Sequence, residues 1–293
     1  MRAPAAGAIV AALVAAYQRA GKDLHELEDE MRRVQYSKFA EGSLLQRLTG
    51  PVGDGLELLL HEGAHSGDYL VEWLEPLLAS AGVRTFADLA RHDPHDSLGP
   101  DERYSLVVHV SDLSRRALVR LPWDYREYGK EPGDQKVVDA VRASMSIPFY
   151  FRPVEVTTAS GQVTWVDGGL LSNFPITVFD RTDGGTPRWP TWGVKLSARP
   201  TTTADEPVRT TLGLAVRALQ TLTADWNRYR LAEEGVGRRT VFVDTSGISA
   251  TDFDLTQDDQ NTLFQNGRTA AARFLRQIER TSATTQRSTR GEP

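Results

Sequence analysis

The 293-residue chain has no cysteine. That removes disulfides, thiolate metal sites and cysteine nucleophiles from consideration, and it is compatible with a reducing compartment. Long apolar runs are missing as well. The longest one near the start, AAGAIVAALVAAY at residues 5–17, is too short for a membrane span and lacks the basic flank of a secretion signal. It reads as a buried helix, with Ile9, Val10, Leu13 and Val14 at helical spacing among alanines. Basic excess is absent too. A formal charge of −5 gives no footprint for a nucleic-acid partner. Neither GxGxxG, a Walker loop nor HExxH occurs, and GPVGDG at residues 50–55 lacks the strand, helix and lysine of a phosphate cradle.

Histidine is scattered as His25, His61, His65, His92, His95 and His109. The His61/His65 pair and the HDPH run at 92–95 are weak metal signals without a carboxylate to complete a ligand set. No metal and no other cofactor is expected.

What the chain does contain is an alternation of helix and strand patterns, which favours an α/β fold. Helices are expected over the opening segment, residues 24–39, 68–82 (DYLVEWLEPLLASAG, with Tyr69, Trp73, Leu74 and Leu77 near one stripe), 135–148, 211–231 and 258–278, with a short one at TFADLA. Strands are expected in YSLVVHVSDL and its hairpin partner RALVRLP, in VTWVD, in WGVKLSA and in RRTVFVDT. The polar tail from residue 281 to 293 is expected to be disordered.

One carboxylate stands out by its setting. In WVDGG an apolar strand ends at Asp167, and Gly168 and Gly169 permit a tight turn that can aim the side chain into a cleft. The same pattern suits a turn aspartate that bonds its own backbone. Pro175 then restricts the backbone at Phe174.

The ordered series VRASMSIPFYFRPV, WVDGGLLSNFP, WGVKLS and TVFVDTSGISATDFDL, with YSLVVHVSDLSRRALVRLP, GDYLVEWLEPLL and TFADL before it, resembles the patatin-like phospholipase family over most of residues 7–280. The resemblance implies a three-layer α/β/α hydrolase that cleaves lipid carboxylic esters with a Ser–Asp dyad. It makes Asp167, Gly168 and Gly169 the DG[AG] motif, with Asp167 the catalytic aspartate. The family's nucleophilic serine sits in GxSxG at a strand-to-helix turn. Here the corresponding run is APAAG, so Gly7 matches the last motif glycine, Ala5 stands at the serine position and Ala3 at the first glycine.

A methyl group cannot attack an ester. The resemblance also implies a glycine-rich oxyanion loop, a strand before it and a strand leading into the serine turn, and the chain starts after all three. The expectation is therefore an incomplete catalytic domain over 1–280 that is inactive as written, with a noncatalytic lipid-binding or protein-interaction scaffold as the alternative. A start set too late, a fragment or degenerate gene product, and a compact inactive homologue all remain open. Phe149, Tyr150, Phe151 and Phe174 would line a lipid cleft or simply pack in the core. Ser144 and Ser146 are expected in a structural or access-loop role, Arg142 to pair with acidic or backbone groups there, Lys195 to face a cleft, support the fold or lie exposed on its strand, and Trp226 and Tyr229 to contact a partner or lipid interface or simply to lie on an amphipathic helix. The expected ligand is a lipid or membrane surface, met from the cytoplasm, with no transmembrane segment; the oligomeric state stays open.

Overall fold

Valines and leucines between residues 107 and 121 build the strand pair at the heart of the fold, because β-branched side chains suit a pleated, buried surface. The computed structural model describes residues 1–3, 6–40, 67–93, 98–148, 151–172, 174–180, 185, 187–197, 214, 218, 221, 235–245, 248 and 254–290. Ala5, His61, His65, His95, Phe149, Tyr150, Trp226, Tyr229 and most of the helix expected at 211–231 lie outside the described residues. The chain divides into two units. Unit 1 comprises Met1–Pro175 with Thr211–Asp225, and unit 2 comprises Ile176–Thr210 with Trp226–Pro293.

In unit 1, β1 (Arg2–Ala3), β2 (Val107–Asp112), β3 (Ala117–Leu121), β4 (Val154–Thr158) and β5 (Gly161–Asp167) form one sheet. The hairpin β2–β3 pairs from Val108↔Leu121 to Asp112↔Ala117, and β5 pairs antiparallel to both β2 and β4. Every residue of β2 is buried. Asp112 pins the hairpin end: its carboxylate accepts from the Arg115 N–H at 2.8 Å and from the Tyr128 hydroxyl at 2.8 Å. Burial, then that bond to Asp112, raises the Tyr128 phenol's pKa.

Four helices of unit 1 are α1 (Ala6–Ala20), α2 (Glu26–Arg33), α3 (Ser37–Ala40) and α4 (Gly67–Ser80), and a fifth, α5 (Val137–Ser144), packs on β2, β5, α1 and α4. Alanines 8, 11, 12, 15 and 16 of α1 are buried, and their small size lets neighbouring elements approach closely. Helix α4 stops at Gly82, whose φ of +74° is open to glycine at little cost, with the Val83 N–H returning to the Leu78 carbonyl at 2.9 Å. Three expectations are corrected here. The helix foreseen at 24–39 is two helices, because Val34 takes an extended conformation between them. The one foreseen to end near Pro148 stops at Ser144. A two-residue strand, Arg2–Ala3, stands ahead of α1 where none was foreseen, and it pairs parallel with Val107–Val108.

In unit 2, β6 (Gly193–Ser197) and β7 (Thr240–Asp244) pair in parallel from Gly193↔Thr240 to Ser197↔Asp244. Helix α6 (Gln257–Arg290) packs on β7 through Phe274, which meets Val241 and Val243, with Ala270 and Ile278 beside them. A reciprocal cap starts the helix: the Thr256 hydroxyl donates to Asp259 at 2.6 Å while the Asp259 N–H donates to that hydroxyl at 3.1 Å. A bidentate Arg239–Asp180 pair, at 2.6 and 2.8 Å, ties the turn before β7 to the end of the turn at Ile176–Phe179. Of the expected polar tail, residues 281–290 continue the α6 backbone and 291–293 lie outside the described residues. Among the described residues no helix is long and apolar enough to cross a membrane.

Candidate active site

Backbone alternation along β2 brings the two ends of the site together. In a strand the N–H groups of residues two apart point to the same edge. Val107 donates its N–H to the Met1 carbonyl at 2.7 Å, and Leu113, six residues on, donates to Thr164 at 2.9 Å. Strands β1 and β5 therefore share one edge of β2, and β3 takes the other. The shared edge is filled end to end: Ala3 sits opposite Val108, and Asp167 opposite Val110. The two strands run toward each other and meet at His109, with Ala3 and Asp167 about 7 Å apart along the strand direction. Both chains must leave the sheet there. One begins α1 at Ala6, and the other enters the short turn Gly168–Leu170.

The aspartate turn is built by contacts that exclude other residues. A Cβ on Gly168 would lie 2.2 Å from the His109 carbonyl oxygen, a backbone atom that cannot move aside, so only glycine fits. Asp167 is 9 % exposed, and its Oδ1 accepts from the Gly169 N–H at 2.8 Å, which fixes the carboxylate over its own turn. The Asp167 N–H donates to the Ser146 carbonyl at 2.9 Å, and the Ser111 hydroxyl donates to the Asp167 carbonyl at 2.9 Å.

Ser144 and Ser146 support this turn from the end of α5, in line with the structural role expected of them. The Ser144 hydroxyl donates to the His109 carbonyl at 2.8 Å, the same oxygen that Gly168 crowds. The Ser146 hydroxyl donates to the Arg142 carbonyl at 3.1 Å and accepts from the Arg142 guanidinium. Burial lowers the pKa of Arg142, with Arg152 acting the same way and Asp68 opposing them. Ser111 and His109 escaped the sequence reading, because their parts depend on strand register. The alternation of VVHVSD alone does not reveal which carbonyl a distant glycine will touch.

Of the aromatic residues expected either to line a lipid cleft or to pack in the core, two are described. Phe151 and Phe174 are both buried. Phe151 shares a cavity of about 10 Å³ with Phe39, Gly67, Leu70, Arg142 and Met145, which is room for about one water molecule. Lys195 belongs to unit 2, where burial lowers its pKa. Among the described residues no group of three His, Asp or Glu side chains is placed to hold a metal ion.

The family model for patatin-like phospholipase matches residues 5–180, which runs from the position before α1 past the Asp167 turn. The uncharacterized protein YqhO of Bacillus subtilis (strain 168) is 30 % identical over 276 residues, covering 93 % of this chain and 86 % of that protein. The crystal structure of VipD from Legionella pneumophila aligns at a TM-score of 0.36 and 16 % identity over 92 % of this chain, which spans about half (52 %) of VipD. The family match and the extended similarity to YqhO make this chain a member of the patatin-like phospholipase family.

Proposed function

We propose that this chain is a lipid acyl-hydrolase scaffold that keeps the aspartate of the family's Ser–Asp dyad and does not itself turn over lipid esters. In the dyad reaction the serine oxygen attacks the ester carbonyl carbon as the aspartate takes its proton. The tetrahedral intermediate then expels the alcohol, which takes the proton back, and water later releases the acyl group as the carboxylic acid. The observation that carries the reading is the meeting of β1 and β5 at His109. It brings the turn that holds Asp167 and the end of β1 to one stretch of β2.

Ala5 follows β1 by two residues in the sequence. Its methyl group has no lone pair to attack with and no proton for Asp167 to accept. In related hydrolases the loss of the nucleophile costs about a millionfold in kcat, so Asp167 is a base without a nucleophile. We assign residues 1–280 to this scaffold, working at a membrane periphery.

The test is hydrolysis of a short-chain ester and of a phospholipid by the chain as written and by Asp167→Asn. Equal, background-level rates support the reading. Turnover that disappears in Asp167→Asn overturns it, because it would mean that a complete site operates.

A further inference from the structure

Arg142 on α5 carries a half-buried charge for which the fold supplies little compensation. Among the described residues its guanidinium donates to the Ser146 hydroxyl, a neutral group, and forms no ion pair with a carboxylate. Burial, the largest effect, and the charge of Arg152 both disfavour the charged form, while Asp68 favours it only through space. A charge drawn out of water is ordinarily paired, because the interior does not replace the hydration it loses.

The space beside that charge is small and apolar. Arg142 lines a cavity of about 10 Å³ with Phe39, Gly67, Leu70, Met145 and Phe151, and of these side chains only the arginine's is polar. Gly67 lets the guanidinium in, since a Cβ there would lie 2.0 Å from Arg142 Nε and 2.6 Å from Cζ. The volume suits one occupant the size of a water molecule, but a buried water needs roughly two to four polar partners and would leave the charge unpaired. A halide-sized anion is satisfied by the charge itself, and phenylalanine rims, which are partially positive, make tolerable walls for it.

We propose that this cavity binds a single chloride-sized monovalent anion paired with the Arg142 guanidinium. The consequence reaches the aspartate turn. Arg142 holds the Ser146 hydroxyl, and the Ser146 carbonyl accepts the Asp167 N–H at 2.9 Å, so an anion that fixes Arg142 steadies the turn at Asp167. The inference goes beyond the proposed function and needs no turnover, so the two can fail separately.

The experiment exchanges sodium gluconate, too large for the cavity, for sodium chloride at constant ionic strength, and follows thermal unfolding and amide exchange of the full chain. The expected result is a saturable stabilisation, about tenfold in the unfolding equilibrium once chloride reaches ~10 times its dissociation constant, with slower exchange at the Asp167 N–H. Sodium acetate should have no such effect. Arg142→Gln should abolish the chloride response, and Gly67→Ala, which keeps the charge but pushes the guanidinium from its place, should lose most of it. If Arg142→Gln does not fold, bromide-soaked crystals of the parent chain decide: an anomalous peak beside Arg142 supports the proposal, and its absence overturns it. A response that does not saturate, an equal response to acetate, or an unchanged response in folded Arg142→Gln would overturn it as well.

Discussion

Strands β2 and β6 are both short and apolar, yet they are used in opposite ways. In β2 every side chain is buried, β3 runs along one edge, and β1 and β5 close the other. In β6, Val194 and Leu196 are 66 % and 63 % exposed, and among the described residues β7 is the one paired neighbour. The difference teaches where each part of the molecule keeps its rigidity. Unit 1 concentrates it at His109, where the Asp167 turn, the Ser144 hydroxyl and the end of β1 converge. Unit 2 holds a small core of Val241, Val243 and Phe274 and leaves Val194 and Leu196 of β6 exposed.

The largest effect should come from the tightest contact in unit 1. Gly168→Ala drives a methyl group into the His109 carbonyl and is expected to destabilise by about 3 kcal/mol, the upper part of the overpacking range. Gly133→Ala is the control, because a Cβ there meets the Ala87 Cβ at an ordinary 3.6 Å. Chemical denaturation of both variants checks this, and equal stabilities would break the contrast. Phe274→Ala should cost unit 2 a comparable amount, about 3 kcal/mol, the lower end for a buried phenylalanine because it lies at the edge of a small core. Hydrogen exchange should show protection lost in β7 and α6 and kept in β2.

The smallest effect lies on the surface of unit 1. Asp88 accepts from the Arg84 and Thr85 N–H groups at 2.8 and 2.9 Å, and these backbone bonds, Thr85 first, hold its pKa below the usual value of 3.8. A depressed carboxylate contributes stability that is present above the unfolded-state pKa and is lost as the pH falls through the folded one. Asp88→Asn should therefore cost about 0.5 kcal/mol at neutral pH, the charge's share alone since the amide oxygen can still accept, and the gap to the parent should close below the ordinary carboxylate range. A gap that persists in strong acid would show that the side chain's charge is not its source.

Much of this architecture was legible as pattern. Runs such as VVHV and TVFV become strands because no helix spacing buries them so well, and DGG at a strand end foretold the turn at Asp167. Other parts, β4 among them, were not legible, and three have a clear tertiary reason. Arg2–Ala3 has no strand signature of its own and is a strand because Val107 and Val108 offer it an open edge. The extended Val34 breaks a continuous polar-apolar pattern, with Val34 and Phe39 both buried. The need for glycine at 168 is set by the register of β5 against β2, which fixes a carbonyl some sixty residues away as its neighbour. Of the aromatic residues for which cleft and core were both open, Phe151 is buried, and composition alone could not choose between those two roles.

Active-site labelling tests the central claim most directly. A fluorophosphonate forms a stable adduct with a serine that an adjacent base has activated, and intact-mass measurement counts such adducts. An aspartate turn without its nucleophile predicts no adduct on the chain as written, with or without Asp167→Asn. One adduct per chain, lost on Asp167→Asn, would contradict it.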